Sequence, residues 1–307
     1  MKLLDIMTSP WMIAPEKLNE IRAIYQAHMR GDKIDIKGIT AKVDLTAKSK
    51  STAEKDYDVV NGAAIIPIMD VITKYPSFWS FFFGGTSSLE VARLFGEAMN
   101  DSSVASIILN IDSPGGTVDG TQELAELIYS SRGSKPIIAY TDGMIASAAY
   151  YIGAAADAIY ISGDMPVTGS IGVVATHIDV SKAYEEAGYK ITEIYAGKYK
   201  RIASSYKPLT EDGAGYIQDQ VDYIYSIFVD DIAKYRGVSV KQVLENMADG
   251  KIFIGRQAID AGLVDGVSTF DRLINIELPV MQSNLSAEAW LENLNKEFKH
   301  GSKIERI

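Results

Sequence analysis

Between about residue 58 and residue 195, short apolar runs alternate with segments of helical periodicity, and this alternation is the strongest constraint on how the chain folds. The strand-like runs cover 59–69, 105–111, 136–140, 158–161, 171–176 and 190–195. The helical segments cover 87–99, 118–131, 145–156 and 180–187, and longer helices follow at 211–236 and 239–247. Strands that alternate with helices specify βαβ units, because each helix carries the chain back across the sheet and makes successive strands parallel. The expectation is an α/β protein with a largely parallel sheet.

Two flanks differ from this core. Residues 15–30 read as an amphipathic helix, with Leu18, Ile21, Ile24 and Tyr25 at helical spacing. Residues 31–57 are polar and rich in lysine, as a linker would be. Beyond Leu278 the chain is polar again, with one short helical stretch at 287–298. The division is therefore 1–57 for an N-terminal helix and linker, 58–277 for the main domain, and 278–307 for a tail.

Composition narrows the chemistry. Hydrophobic residues make up 47% of the 307, enough for a sizeable core, and a net charge of -10 argues against nucleic acid as the main partner. There is no cysteine, hence no disulfide, thiolate nucleophile or Cys-bound zinc. His28, His177 and His300 lack metal-ligand spacing. Neither a metal nor an organic cofactor is implied. No run approaches the roughly 20 apolar residues that span a bilayer. The first 14 residues, broken by Asp5 and Pro10, make a poor secretory signal. A cytoplasmic protein is expected.

Three segments can carry chemistry. Ser113-Pro114-Gly115-Gly116 follows an apolar strand, and its paired glycines bare backbone N–H groups that can hold a developing oxyanion. The bland alternative is a tight strand-to-helix turn. Ser147, in Ile145-Ala146-Ser147-Ala148-Ala149, lies where a loop enters a helix. The N–H of Ala148 and the positive end of the helix dipole favour negative charge there, although a Ser in this place more commonly caps the helix. A serine nucleophile needs a base. His177 sits in an apolar run where a structural role fits better, whereas a lysine serves if desolvation or nearby charge keeps it neutral. Lys198 and Lys200 flank Tyr199, and spacing does not choose between them.

In order along the chain stand Asn110-Ile111-Asp112-Ser113-Pro114-Gly115-Gly116, Ala146-Ser147-Ala148-Ala149-Tyr150-Tyr151-Ile152, Ala155-Ala156-Asp157, Thr168-Gly169-Ser170-Ile171-Gly172-Val173, and Gly255-Arg256-Gln257-Ala258 leading to Gly262-Leu263-Val264-Asp265. With these segments residues 58–275 resemble the Ser-Lys peptidase family of signal peptide peptidase A, within the Clp protease and crotonase superfamily. The resemblance implies a Clp/crotonase-like core of repeated ββα units with helices packed around the sheet. It implies Ser147 as nucleophile, Lys200 as base, Ser170 orienting that lysine, and Gly115 or Gly116 with Ala148 in the oxyanion hole. Where the family often has Ser-Gly-Gly, this chain has Ser147-Ala148-Ala149, which narrows the space beside the nucleophile.

The leader, with Ser9-Pro10-Trp11-Met12-Ile13 before the first helix, is similar to the phage head-assembly branch of that family. By that likeness the substrates are proteins or peptides, among them phage scaffold, capsid or portal proteins. The setting is the host cytoplasm or an assembling procapsid, and the protein is a homo-oligomer. The run 78–83, dense in Phe and Trp, is a candidate subunit contact or substrate wall. General peptide degradation and a crotonase-type acyl-CoA activity are the competing functions.

Overall fold

The computed structural model describes residues 10–29, 56–76 and 85–278. A six-stranded sheet runs through it in the order β13-β10-β8-β6-β3-β2. These strands are β2 (Asp58–Val60), β3 (Ala63–Met69), β6 (Ser106–Asp112), β8 (Ile137–Thr141), β10 (Ala158–Ile161) and β13 (Gly266–Val267). All pairs are parallel except the β2–β3 hairpin at the edge. Ile107, Ile108, Leu109 and Ile111 of β6 are wholly buried, as expected of a parallel strand covered on both faces.

After each of three sheet strands the chain steps out into a smaller sheet before its helix returns. β3 leads to β4 (Ile72–Thr73), β5 (Thr86–Ser87) and α2 (Ser88–Asn100). β6 leads to β7 (Gly115–Thr117) and α3 (Thr121–Ser130), and β8 to β9 (Met144–Ala146) and α4 (Ala148–Ala154). This is the repeated ββα arrangement that the resemblance implied. The outlying strands form two further sheets. One is β1-β7-β4-β5, where β1 (Trp11–Ile13) precedes α1 (Pro15–Met29). The other has β11 (Val167–Gly169) between β9 and β12 (Ile252–Ile254). After the short α5 (Ser181–Glu186), the 26-residue α6 (Glu211–Arg236) starts at a Thr210 cap and ends at Gly237, which is left-handed as a helix terminus requires. After β12 comes the short α7 (Arg256–Asp260).

Several elements differ from the sequence expectation. The run 59–69 is two strands, because Asn61 and Gly62 both take positive φ and turn a hairpin. The run 145–156 begins as a strand: Ile145 and Ala146 belong to β9, and the helix starts only after Ser147. Gly115 and Gly116 are not a bare turn but the start of β7. Residues 190–195 form no strand, and 171–176 contribute a single bridge, Trp11 with Val174. The segment 239–247 widens after Gln242 into a π-helical turn at Val243–Met247. Trp11, Met12 and Ile13 of the leader, expected outside the core, are buried and add β1 to it. The aromatic run 78–83, the linker 31–55 and the tail beyond Leu278 lie outside the described residues.

Candidate active site

Ser147 joins β9 to α4 at φ 56°, ψ −119°. A side chain at positive φ is strained by about 1–3 kcal/mol, so the surrounding structure must hold it there. Its N–H donates to the Gly169 carbonyl at 2.8 Å, and its own carbonyl accepts from Tyr151 N–H at 2.9 Å, the first turn of α4. β9 itself is clamped between Ser113, bonded to both Met144 and Ala146, and β11. Ser147 occupies the N-cap position, yet its hydroxyl makes no capping bond. The bland helix-cap reading therefore does not describe it. The hydroxyl is buried with no hydrogen-bond partner among the described residues, and the residue is 1% exposed.

The structure brings several of the residues named from the sequence close to Ser147. A Cβ on Gly115 would fall on the Met12 carbonyl and lie 2.9 Å from Ser147 Cβ, so glycine is needed for this close approach. Gly115 N–H donates to Ser113 Oγ at 3.2 Å, a long bond that a charged oxygen would outcompete. Gly116 is glycine for another reason: a Cβ there would meet the Ile72 backbone of β4. Ala148, the first residue of α4, offers an N–H for which the described residues supply no acceptor, as helix starts do. Ser170 follows the Gly169 that pairs with Ala146, so it stands beside Ser147 in register; it is buried, at φ 54°, and its N–H donates to the Lys251 carbonyl at 2.7 Å.

Lys200 is not brought to this cluster. It is exposed, in a turn whose N–H bonds Gly197, and it makes no contact with the Ser147 hydroxyl. Lys198 lies 5.2 Å over the Tyr199 ring, and Tyr199 stacks on Tyr216 of α6. His177 is equally apart: its Nε2 faces the Ser204 carbonyl at 3.0 Å, the structural role expected of it.

Two contributors escaped the sequence reading. Arg132, just after α3, holds the far end of the serine's helix. Its guanidinium donates to the carbonyls of Ala154 and Ala155 at 2.8 and 2.9 Å, to Tyr235 at 3.1 Å, and to Ala156. Burial pulls its pKa below the ordinary arginine range. Tyr151, on the same helix, stacks on Phe228 and donates to Asp231; burial, then that carboxylate, pushes its phenol far up. No local sequence signal marks either, since both depend on partners distant in the chain. Among the described residues no cluster of His, Asp or Glu can hold a metal.

An elbow serine beside glycine-lined strands has known relatives. Residues 130–277 match the family model of peptidase family S49. The chain is 29% identical over 253 residues to the head-tail preconnector protein GP5 of Enterobacteria phage P21, covering 82% of this chain and 50% of that one. It is 30% identical over 236 residues to capsid assembly protease C of Escherichia phage lambda, covering 76% and 53%. Putative protease MJ0651 of Methanocaldococcus jannaschii is 34% identical over 194 residues, covering 61% and 62%. The chain thus spans between half and five-eighths of the length of these relatives. Together with the S49 match over residues 130–277, these relatives make the chain similar to peptidases of family S49.

Proposed function

We propose that the protein is a serine endopeptidase in which Ser147 is the nucleophile and Lys200 the base. The observation that carries this reading is the Ser147 elbow: a strained, buried serine that caps nothing, with Gly115 bare against it. Ser147 Oγ attacks the scissile carbonyl carbon. Neutral Lys200 takes the hydroxyl proton and returns it to the leaving amine, and the N–H groups of Gly115 and Ala148 stabilise the oxyanion. Ser170, beside Ser147 in register, is the residue that would orient the lysine once Lys200 is brought in. Water then hydrolyses the acyl-enzyme by the same route.

In the described conformation Lys200 stands away from Ser147, so the dyad closes only when the segment around 197–203 is repositioned or a second copy supplies it. The lobe carrying Lys200 exposes Tyr189, Ile191, Tyr195 and Tyr199, with Ile194 at 96%. Apolar surface of this extent favours a homo-oligomer. Among the described residues no helix is long and apolar enough to cross a membrane. Since relatives named for phage head and capsid assembly align along most of the chain, we place the activity in a cytoplasmic or procapsid setting, on capsid, scaffold or portal proteins.

The test compares purified wild type with Ser147→Ala and Lys200→Ala on a protein substrate. Each single variant loses about 10⁴-fold or more in kcat, and the double variant is scarcely worse, because the two groups act as one unit. Full activity in Ser147→Ala, or dependence on His177 in place of Lys200, overturns the dyad. Co-expression with neighbouring capsid and scaffold proteins separates the assembly role from general degradation: only in the former is one of them shortened in a Ser147-dependent way. A monomeric mass by light scattering overturns the oligomer.

A further inference from the structure

Ser147 is sealed, and a sealed nucleophile cannot meet a polypeptide. What lies across it is the chain's own leader. β1 runs antiparallel to β7, pairing Trp11 with Thr117, Met12 with Gly116 and Ile13 with Gly115. Its other edge is also bonded: Trp11 N–H donates to Val174 O at 2.8 Å, and Val174 N–H to Trp11 O at 2.9 Å. Ala14 N–H donates to Pro114 O at 2.8 Å. Three residues are therefore hydrogen-bonded as a strand between the glycine strand beside the serine and the segment leading out of Ser170. The Met12 carbonyl and Ser147 Cβ converge on the empty Cβ position of Gly115.

An extended peptide added between two strand edges is how proteins bind peptide backbones without reading their sequence. The same edges that hold Trp11–Ile13 would hold a substrate with its carbonyls passing Gly115 and Ser147. Side chains of such a strand alternate in direction. Trp11 and Ile13 pack with Leu18, Val71 and Val174, while Met12 joins the main core. The leader is secured beyond the strand by Lys17 with Asp70 at 3.3 Å and by Arg22 with Thr176.

We propose that Trp11–Ile13 is an intramolecular occupant of the peptide groove, a strand that must leave before Ser147 can be acylated by a protein substrate. This rests on the serine reading above, and it makes release of the leader the step that switches the enzyme on. The segments that replace it are extended peptides carrying large apolar side chains at alternate positions, as Trp11 and Ile13 do.

A chain without cysteine allows a direct test. Residues opposite one another in an antiparallel pair have Cα atoms about 4.5–5.5 Å apart, within disulfide reach. A Trp11→Cys, Thr117→Cys double variant, otherwise full length, locks β1 when oxidised and frees it when reduced. The readouts are labelling of Ser147 by a fluorophosphonate and hydrolysis of a protein substrate. The expected result is that both are at least about tenfold slower in the oxidised form, as the open population is removed. Equal, rapid labelling and hydrolysis in both forms overturns the occupant proposal and leaves the serine reading standing. Inertness of both forms to the phosphonate overturns the serine reading and the proposal with it. Should the double variant fail to fold, deletion of residues 1–14 is to label faster than wild type, and a synthetic peptide of residues 9–15 is to slow that labelling. No acceleration on deletion, in a protein that melts cooperatively, overturns the proposal equally.

Discussion

Ser147 and Gly255 share one backbone geometry in two places. Ser147 leads from β9 into α4 at φ 56°, ψ −119°, and Gly255 leads from β12 into α7 at φ 52°, ψ −121°. Both hang from the same strand: Ser147 N–H bonds Gly169 at one end of β11, and Gly255 N–H bonds Pro166 at the other, at 2.8 and 2.9 Å. They differ in what faces the Cβ. At Gly255 it would fall on the Asp164 carbonyl, so glycine is required. At Ser147 the facing position is Gly115, whose missing side chain leaves room. One elbow is glycine because the chain needs the turn. The other keeps a side chain in a conformation that glycine would adopt with less strain, and a hydroxyl is what it gains.

The largest stability effect expected from breaking this comparison is at Gly255. Gly255→Ser should cost about 3–4 kcal/mol in denaturant unfolding, from positive-φ strain plus a collision with backbone that cannot move aside. A cost under about 1 kcal/mol would show that steric room does not separate the two elbows. Gly115→Ala comes next, at about 2–3 kcal/mol, because the new methyl strikes the Met12 carbonyl and crowds Ser147. It should also remove hydrolysis, whereas Gly255→Ala should spare whatever activity survives its loss of stability. The two helices also end differently. α7 closes on Gly262 at φ 82°, with Leu263 N–H bonded back to Ala258. α4 has no glycine there, and Arg132 takes its last carbonyls instead. Arg132→Leu should therefore cost about 2 kcal/mol by leaving those carbonyls unpaired, and it should lower kcat more than it raises KM as Ser147 loses its fixed position. Arg132→Lys, with fewer donors, should restore part of both.

The sequence showed the alternation of strands and helices because the central strands are short, mostly apolar runs, such as Ile107 to Leu109. It did not show where β9 ends, since Ile145, Ala146, Ala148 and Ala149 fit a buried strand and a buried helix equally well. Residues 190–195 have strand-forming side chains but no sheet edge to join, and tertiary context overrode propensity. Ser147, Ser170 and Gly115 were legible through family resemblance and come together in the structure. The elbow comparison was not, because positive φ at a serine leaves no mark in composition. Met12 and Arg132 act through partners about a hundred and about twenty residues away respectively, which no local pattern encodes.

The smallest effect discriminates most sharply, because its sign is unusual. Ser147→Gly removes a buried hydroxyl that has no partner, worth about 1–3 kcal/mol of desolvation, and relieves positive-φ strain of about 1–3 kcal/mol. Against this stand the greater freedom of glycine in the unfolded chain, about 0.5–1 kcal/mol, and the lost contacts of one small side chain. The balance is a protein more stable by about 1 kcal/mol that hydrolyses nothing, which is the trade expected where a strained residue serves chemistry. Ser147→Ala, which keeps the strain but loses the hydroxyl, should fall between wild type and Ser147→Gly in stability and match Ser147→Gly in activity. Denaturant midpoints for the three proteins, measured side by side, decide the point. A Ser147→Gly protein less stable than wild type would mean that the hydroxyl supports the fold, and the two elbows would then differ by packing and not by function.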